Sequence, residues 1–572
     1  MRWVGLAGAL IACLALEVTA RVWASSSPTR YAQAEFNTAP VPENASATQG
    51  ANALGESIYL HGITQSGSEL AGARGGALPV TTGVDAACVN CHRHSGLGTN
   101  DERIRVPPIT GRYLFHPQEA SAGDPDLHYV GAVLGDRAPY TDATLARAVR
   151  EGINSEGKPL GTLMPRFHLN DTEMQALVTY LRSMDRSTEP GVSDTVLHFA
   201  TIVTPDADPQ KRGAMLSVLQ QYFKDKNLFP FPPSPRMHTS AKTVYAKSMY
   251  MANRRWQLHV WDLSGPPSTW RAQLEERIAK EPVMAVVSGL GAGQWEPVHE
   301  FCEQQHVPCL FPNVEVPLVE ERDFYSLYFS KGVLLEAGLL ANAIEESGAG
   351  RAHRTVLQIY RDGDSGESAA RALGQNLQRR GIAVRNHMLT SVDSEGEFAR
   401  ALEGASSADS LVLWLRPSDI ARLASIPPPG VPVYVSGVLG GLEHMPLPAS
   451  WRVQAHLSYP FDLPDRRLIR VDYPLGWFSL RHIPVVDEQV QVDTYLACGL
   501  LAEALSHSAD TFNREYLVER TEDLLEHRVL TGYYPRLTLA EGQRFASKGG
   551  YVVHFKGAEG SAIVADQDWT VP

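Results

Sequence analysis

The 572-residue sequence contains only six cysteines, at positions 13, 88, 91, 302, 309 and 498. They include a single C-x-x-C pair, which excludes the zinc sites that need a second cysteine pair at matched spacing. Basic residues are also scarce, since 51 Lys and Arg stand against 64 Asp and Glu and the net charge is −13. A nucleic-acid-binding protein needs a concentrated basic face. We therefore expect no nucleic-acid partner.

Beyond the N-terminus the sequence lacks any apolar run near the roughly 20 residues that span a bilayer. The N-terminus itself is typical of an export signal: Met1-Arg2 precedes the apolar stretch Val4–Leu16, and Val22-Trp23-Ala24 is similar to a cleavage site. We predict a signal peptide over residues 1–24. The alternative is a lipoprotein acylated at Cys13, because Leu10-Ile11-Ala12-Cys13 is similar to a lipobox.

The chain also lacks a nucleophile elbow, a P-loop and metal-spaced histidines. Its length is several times that of an ordinary domain, so at least two hydrophobic cores are expected. Two polar segments predict the boundaries. Residues 25–50 are rich in Ser, Ala, Thr and Pro and predict a flexible lead-in, and the turn-forming residues 187–194 predict a linker. The domains are then residues 51–186 and 195–572.

The pattern of apolar residues changes across that linker. The first domain ends in a periodic helix near Asp171–Met184. The second alternates short β-rich runs with amphipathic helices, a pattern that implies parallel sheets with both faces covered. The predicted strands are Val196–Val203, Gln257–Trp261, Val283–Ser288, Thr355–Tyr360, Ser410–Leu415 and Val431–Ser436. The predicted helices are 210–225, 269–280, 294–305, 332–346, 366–380 and 488–506. So large a second domain is expected to form two α/β lobes.

The cysteine pair occurs in the motif Cys88-Val89-Asn90-Cys91-His92. Two thiols at this spacing can each bond one haem vinyl group, and the adjacent histidine then ligates the iron. A redox dithiol is the alternative, but it would stand at the end of a strand in a βαβ unit. Here the flanking residues 83–87 and 93–98 are small and loop-like. The motif predicts one covalently attached haem c, held by Cys88, Cys91 and His92.

Residues 51–186 resemble the class I cytochrome c family. A helix near Gly55–Tyr59 precedes the haem motif, and Val106-Pro107-Pro108-Ile109-Thr110-Gly111 matches the segment whose proline carbonyl accepts the proximal imidazole N–H in that family. The resemblance implies a small all-α domain. It also implies that Pro107 or Pro108 orients the histidine ring.

The same resemblance implies the sixth iron ligand. The family takes it from a loop before the last helix, where this sequence has Leu163-Met164-Pro165-Arg166-Phe167. Met164 is therefore the expected ligand, and a His/Met iron favours electron transfer over oxygen chemistry. His168 stays as the alternative, and Met174 is expected in the core. His94, His116 and His128 are expected to be loop histidines.

Residues 195 to about 560 resemble the type I periplasmic binding proteins of the branched-chain amino-acid receptor-like group. Four stretches carry the resemblance. They are the opening strand at Leu197–Thr204, the loop Ser288–Gln294, the short strand at His306–Asn313, and Thr355–Tyr360 with the loop after it. It implies two lobes that close on a small ligand at the carboxyl ends of the strands. Backbone N–H groups of the Gly-rich loop near Gln294 are a candidate carboxylate site, or the glycines serve only the turn. The candidate ligand contacts are Ser288, Gly289, Gln294, Asn313, Tyr360, Asp364 and Ser436.

Gly291-Ala292-Gly293 lacks the hydroxyl residues that amino-acid binders of this group carry, so amino-acid binding is not expected. Cys302 ends a predicted helix and Cys309 opens the next strand, which predicts a local disulfide in an exported protein. Cys498 lies on an apolar helix face and is expected to be a buried thiol.

The fold class expected is therefore multidomain, with a small all-α cytochrome c domain before a two-lobed α/β domain. The function expected is a periplasmic electron carrier rather than a catalyst, with a dehydrogenase or oxidase as redox partner. Two alternatives remain. In one the protein is a haem-coupled sensor of a small-molecule ligand; in the other it is a haem enzyme with an open iron site.

Overall fold

The structure is a computed structural model, and it describes most of the chain. The described residues are 43–74, 80–100, 105–116, 137–185, 189–228, 254–318, 320, 323–348, 354–390, 395–506, 512–527, 532–540 and 542–572. The chain divides into two compact units, residues 1–49 and 50–572, and all the sites below lie in the second. The predicted signal peptide, the lead-in up to residue 42 and His128 lie outside the described residues.

We call residues 51–185 the N-terminal module. Its helices are α1 (Glu43–Glu56), α2 (Val89–His92), α3 (Gly111–Phe115), α4 (Asp142–Glu151) and α5 (Asp171–Ser183), and a π-helical turn at Ser57–His61 continues α1. The last helix begins at a capping box, in which Asn170 accepts from the N–H of Glu173 and Glu173 accepts from the N–H of Asn170. Such reciprocal bonds satisfy N–H groups that a helix start leaves unpaired.

The N-terminal module also contains short strands, which the expectation of an all-α domain did not include. They are β1 (Ala71–Ala73), β2 (Thr81–Thr82), β3 (Thr99–Asn100), β4 (Arg105–Val106) and β5 (Arg166–Phe167). Strands β2, β1 and β5 form one small antiparallel sheet, and β3 pairs with β4. The core between these elements contains Tyr59, Phe167 and Leu177, all buried.

We call the first α/β half of the remaining chain lobe 1. Its strands are β6 (Val196–Val203), β7 (Arg255–Asp262), β8 (Ala285–Val287), β9 (Leu290–Gly291), β10 (Cys309–Leu310), β11 (Asn313–Val314) and β12 (Ser326–Leu327). They form a parallel sheet in the order β11-β9-β6-β8-β10-β12, with β7 paired to β6. Helices α6 (Pro209–Lys226), α7 (Trp270–Lys280) and α8 (Glu296–Gln304) alternate with these strands.

Lobe 2 is built on a second seven-stranded sheet. Its strands are β13 (Thr355–Arg361), β14 (Ala383–Leu389), β15 (Ser410–Trp414), β16 (Val433–Ser436), β17 (Ala455–Tyr459), β18 (Tyr551–Phe555) and β19 (Ile563–Ala565). The order is β14-β13-β15-β16-β17-β18-β19, parallel up to β17 and antiparallel after it. The described part of residues 195–572 thus contains two separate seven-stranded sheets with helices between the strands, which is a mixed α/β architecture.

The remaining helices cover these sheets and connect them. They are α9 (Val333–Ser347), α10 (Ser365–Arg379), α11 (Glu395–Glu403), α12 (Pro417–Ile420), α13 (Gly437–Gly440), α14 (Ala449–Arg452), α15 (Pro464–Leu480), α16 (Glu488–Ser506) and α17 (Arg514–His527). Helix α16 packs on α6 and α17 packs on α16, so the C-terminal helices return to lobe 1. Within the described residues, every helix is too short or too polar to cross a membrane.

Candidate haem site and interlobe cleft

The C-x-x-C-H motif folds into one helical turn, α2. The backbone N–H groups of Cys91 and His92 both donate to the carbonyl of Cys88, at 3.2 and 2.9 Å. Both cysteines are half-buried and separate thiols, and His92 is buried. The turn therefore holds two thiols and an imidazole side by side, as the sequence predicts.

The ring of His92 is oriented by a backbone carbonyl. Its Nδ1 lies 3.0 Å from the carbonyl oxygen of Pro107, so Nδ1–H donates there and Nε2 keeps its lone pair. Of the two candidate prolines, the structure thus places Pro107 against the ring. Burial lowers the pKa of His92 to about 4, although the bond to Pro107 acts in the opposite sense. The imidazole is neutral at physiological pH, which is the form that ligates a metal.

A glycine, Gly98, allows the Val106–Pro107 segment to lie close to His92. Gly98 has φ +70, its N–H donates to the carbonyl of His92 at 3.1 Å, and a Cβ added to it would lie 2.2 Å from the carbonyl oxygen of Val106. A side chain at this position would therefore push the Val106–Pro107 segment away from the ring.

The predicted sixth ligand, Met164, lies in a turn just before β5. Its side chain is half-buried and packs on the core of the N-terminal module. The alternative, His168, is exposed, and Met174 is buried in the core, as expected. The packing of its side chain favours Met164 over His168.

The remaining histidines of this module occupy different surroundings. His116 is exposed. His94 is half-buried and stacks on Phe324 of lobe 1, with ring centroids 3.7 Å apart. Burial, followed by nearby cations including Arg544, lowers the pKa of His94 to about 3. His94 is therefore a neutral contact residue at the boundary between the module and lobe 1.

The donor set fits a haem c. Two thiols at the spacing of the two haem vinyl groups, a neutral buried imidazole with its Nδ1 engaged, and a thioether on the same core are the ligands that a His/Met cytochrome uses. Cys88 and Cys91 would form the covalent links, and His92 and Met164 would ligate the iron.

Lobe 1 packs directly against the residues that follow His92. The guanidinium of Arg93 lies 3.9 Å from Glu519, 3.3 Å from Glu522 and 3.2 Å from Asp523, all on helix α17. Ser95 donates its hydroxyl and its backbone N–H to Glu519, at 2.6 and 2.9 Å. We call this set of contacts the haem-loop interface.

Glu519 is completely buried in the haem-loop interface. Burial raises the pKa of Glu519 to about 8, and the Arg93 charge and the Ser95 bonds offset only part of that effect. The neighbouring Glu522 is also held from the other side, because Arg544 forms an ion pair with it and donates to the carbonyl of Phe324. The interface therefore includes lobe 1 residues well separated in the sequence.

A cavity of about 1580 Å³ lies between the two lobes. Asn313 and Asp364 line it, as predicted, but the other five candidate contacts do not. Ser288 is buried and bonded to Thr494 and Asn313, and Ser436 is buried and donates to Glu336. Of the others, Gly289 packs on Trp295, Gln294 is exposed and Tyr360 packs on helices of lobe 2. The side chains of Ser288 and Ser436 are therefore turned toward the core, where they are hydrogen-bonded, rather than toward the cavity.

The predicted carboxylate site at the Gly-rich loop is occupied by the protein itself. The N–H of Gly293 donates to Asp206 at 3.1 Å. Across the cleft, Glu315 accepts two bonds from Arg416, at 2.6 and 2.7 Å, and one from Ser365 at 2.6 Å. Arg416 also pairs with Asp364. We call the Glu315–Arg416 pair the interlobe latch, because it joins the end of β11 in lobe 1 to lobe 2.

Sequence reasoning missed several residues of the cleft wall. Three of them, Arg416, Glu315 and Asp206, are charged residues that come shortly after strands. Their position at strand ends could have indicated that they line the cleft. Asp493 and Tyr534 belong to segments that return to the cleft from the far end of the chain, and no local pattern marks them.

Two other side-chain clusters lie in lobe 1. Cys302 and Cys309 are both buried free thiols in hydrogen-bond contact with each other. His299, Glu303 and Asp323 lie close enough to suggest a metal site. However, the carboxylate of Glu303 accepts from the backbone N–H groups of residues 324, 325 and 326, at 2.9, 3.1 and 2.7 Å. The oxygens of Glu303 are therefore used to hold the backbone of residues 324–326, and not to bind a metal ion.

Several known proteins are similar to parts of this chain. The family model described as Cytochrome c matches residues 81–185. A fatty acid ABC transporter substrate-binding protein from Thermomonospora curvata aligns with 67% of this chain and 94% of its own, at 15% identity and a TM-score of 0.48. A branched-chain amino acid transporter substrate-binding protein of Streptococcus pneumoniae, in complex with isoleucine, aligns over 66% and 100%, at 11% identity and 0.47. No curated relative matches the sequence.

Proposed function

We propose that this chain, whose residues 81–185 belong to the cytochrome c family, is an exported electron-transfer protein that carries one haem c. The observation that carries the proposal is the 3.0 Å contact between His92 Nδ1 and the Pro107 carbonyl. It fixes the ring with Nε2 available, next to two thiols at haem spacing. A haem c ligated by histidine and methionine supplies one-electron transfer.

The residues of the chain have separate tasks in this proposal. Cys88 and Cys91 would hold the haem covalently, and His92 and Met164 would ligate its iron. The carbonyl of Pro107 accepts a hydrogen bond from Nδ1–H and so keeps the ring oriented. Burial keeps the ring neutral. If His92 and Met164 both ligated the iron of a bound haem, the site would exclude small molecules, which would suit a carrier rather than a catalyst.

We further propose the domain plan of a signal peptide at 1–24, a cytochrome c domain at 51–186, a linker at 187–194 and a binding-protein-like domain at 195–572. The periplasm is the proposed location, and a dehydrogenase or oxidase is the proposed redox partner. The cavity between the lobes supports a small-molecule ligand as a second partner.

Substitution of Met164 tests the electron-transfer proposal. Met164→Ala should abolish the optical signal of the methionine–iron bond in the oxidised protein and lower the reduction potential by on the order of 0.1 V, because axial ligands set haem potentials over about 0.8 V. His168→Ala is the control and should change neither.

The same two variants distinguish a carrier from an enzyme. The reduced wild-type protein should not bind carbon monoxide, whereas reduced Met164→Ala should bind it. Carbon monoxide binding by the wild-type protein would mean an open iron site and would favour the haem enzyme. A spectrum unchanged by Met164→Ala would reject Met164 as the ligand.

A haem-coupled sensor is the second candidate, and the haem-loop interface favours it. Arg93 and Ser95 contact lobe 1 beside the proposed iron ligand, so a movement of lobe 1 would reach the haem loop. Arg416→Gln releases the interlobe latch without touching the N-terminal module. A different reduction potential in this variant would support the sensor, and an identical potential would reject it.

A further inference from the structure

Asp493 occupies an unusual place in the cleft wall. It lies on helix α16, it is 2% exposed, and it lines the cavity between the lobes. Its Oδ2 accepts from Gln489 at 3.1 Å and from the hydroxyl of Tyr534 at 3.2 Å. Its Oδ1 has no hydrogen-bond partner among the described residues.

A buried carboxylate oxygen without a donor is destabilising, and such atoms are rare in folded proteins. Burial raises the pKa of Asp493 to about 7, and the bonds from Gln489 and Tyr534 only partly oppose the rise. The carboxylate is therefore left one donor short at the surface of a cavity. A ligand that brings a donor would remove that deficit.

Three groups of the wall that could bind a ligand carboxylate are already engaged: the N–H of Gly293, Arg416 and Arg467. Asp206 takes the N–H of Gly293, and Glu315 takes Arg416. Arg467, also in the wall, is paired with Glu443. These internal carboxylates occupy the anion-binding positions of the cleft. An anionic ligand could use these three groups only by displacing an internal carboxylate.

The net charge of the residues that line the cavity also favours a cationic ligand over an anionic one. Carboxylates outnumber Lys and Arg among the lining residues. The carboxylates are Asp206, Asp208, Glu315, Asp364, Glu443, Asp465, Asp487, Glu488 and Asp493, and the cations are Lys211, Arg416, Arg466, Arg467 and Lys556. A cleft lined by an excess of one sign of charge concentrates ligands of the opposite sign.

Aromatic residues line the same cavity as Asp493, and one of them, Tyr534, donates to its Oδ2. The ring of Tyr534 lies 5.6 Å from that of Phe329 and 5.4 Å from that of Phe461, and all three residues line the cavity. Aromatic faces attract ammonium groups and also pack on alkyl chains. A carboxylate beside such rings matches a molecule with a cationic head and an apolar tail.

We propose that Asp493 receives the ammonium group of a small organic amine, whose alkyl part packs on Tyr534, Phe329 and Phe461. The inference rests on the proposed ligand-binding role of the cleft and specifies the chemical class of the ligand. It requires no free carboxylate on the ligand, since the cleft fills its own anion positions.

Matched small molecules test the inference on the full-length holoprotein. The probes are butylamine and putrescine, their neutral analogues 1-butanol and 1,4-butanediol, and their anionic analogues butyrate and succinate. The amines should give a saturable rise in the melting temperature and a measurable calorimetric affinity. The neutral and anionic analogues should give neither.

Two variants place the amine at Asp493. Asp493→Asn keeps the shape but removes the charge, and should weaken amine binding about 10- to 100-fold, the range expected for a charged hydrogen bond. Asp465→Asn is the control, because Asp465 lines the same cavity but is exposed. It should leave the affinity nearly unchanged. The comparison of probes on the wild-type protein stands even if Asp493→Asn fails to fold.

The outcomes separate this inference from the proposed function. Equal binding of 1-butanol or butyrate, or full amine affinity in Asp493→Asn, overturns the amine assignment while leaving a ligand-binding cleft. Binding of none of the six probes also overturns it. The electron-transfer proposal is judged independently, by the Met164→Ala spectrum, and none of these titrations changes that result.

Discussion

Ser95, three residues after the proposed iron ligand His92, donates its hydroxyl and its backbone N–H to the two oxygens of Glu519, at 2.6 and 2.9 Å. The two residues are 424 positions apart in the sequence. Together with Arg93, they join the haem loop to helix α17 of lobe 1. The N-terminal module is therefore packed on lobe 1 directly beside the C-x-x-C-H motif.

We predict that this contact makes stability depend on pH through Glu519. Its pKa is raised by burial to about 8 in the folded protein, so its contribution is fully present below its ordinary pKa and is lost as the pH rises through 8. Between pH 5 and pH 9 the wild-type protein should lose ~3 kcal/mol more unfolding free energy than Glu519→Gln, which cannot titrate. Denaturant titrations of both proteins measure the difference, and parallel pH curves would contradict it.

Gly98→Ala should disturb the haem loop. The residue has φ +70, and an added Cβ would meet the Val106 carbonyl. We expect a lower haem content per protein chain and a loss of ~2 kcal/mol or more of unfolding free energy. Gly67→Ala is matched, because Gly67 has φ +77 with nothing within 4 Å of an added Cβ. Similar haem content in the two variants would show that the close approach to Val106 is unimportant.

Arg416→Gln should weaken the interlobe latch. Glu315 would keep its bond from Ser365 but lose its charged partner in a mostly buried position. We expect a loss of about 3 kcal/mol, the lower end for breaking a buried pair, because the Arg416 side chain is 28% exposed. Small-angle scattering should show a larger radius of gyration.

Two further variants control the latch experiment. Arg371→Gln removes a surface pair with Glu367 and should cost less than about 0.5 kcal/mol. The double variant Glu315→Gln with Arg416→Gln removes both charges and should recover part of the stability. If the double variant is no more stable than Arg416→Gln, the buried charge of Glu315 is not the cause.

The thiols of Cys302 and Cys309 are adjacent, so the disulfide predicted from the sequence can be tested by experiment. If oxidation joins them after export, the short bridge should contribute about 2–3 kcal/mol. Mass spectrometry of protein unfolded in denaturant and alkylated without reduction should then find both residues unmodified, and Cys302→Ala should lower stability by that amount. Cys498→Ala is the control, since Cys498 is a separate buried thiol. Alkylation of both residues would reject the disulfide.

Local sequence patterns predicted much of the fold because they report on single elements. Strand β6 and helix α16 were predicted at their observed bounds. The strands β17 and β18 were missed. Their pairing joins residues nearly a hundred positions apart, and short buried strands give little periodicity of their own.

The two candidate sites also differ in how far local sequence predicts them. The haem-attachment motif is contiguous, so residue types and spacing at Cys88–His92 predict its chemistry directly. The cleft is assembled from residues between Asp206 and Val564. Whether a strand-end side chain such as Ser288 faces the cavity or the core depends on packing that the sequence pattern does not specify.

The sequence by itself determined the kind of chemistry, because covalent haem attachment depends on a five-residue spacing. It also determined that the second part of the chain is mixed α/β, because the periodicity of each helix and strand is local. Only the tertiary structure decided that Ser95 meets Glu519, that Asp206 and Glu315 fill the anion positions of the cleft, and that Asp493 keeps an unpartnered oxygen there. These are long-range contacts, and burial and charge pairing act on residues brought together only by folding.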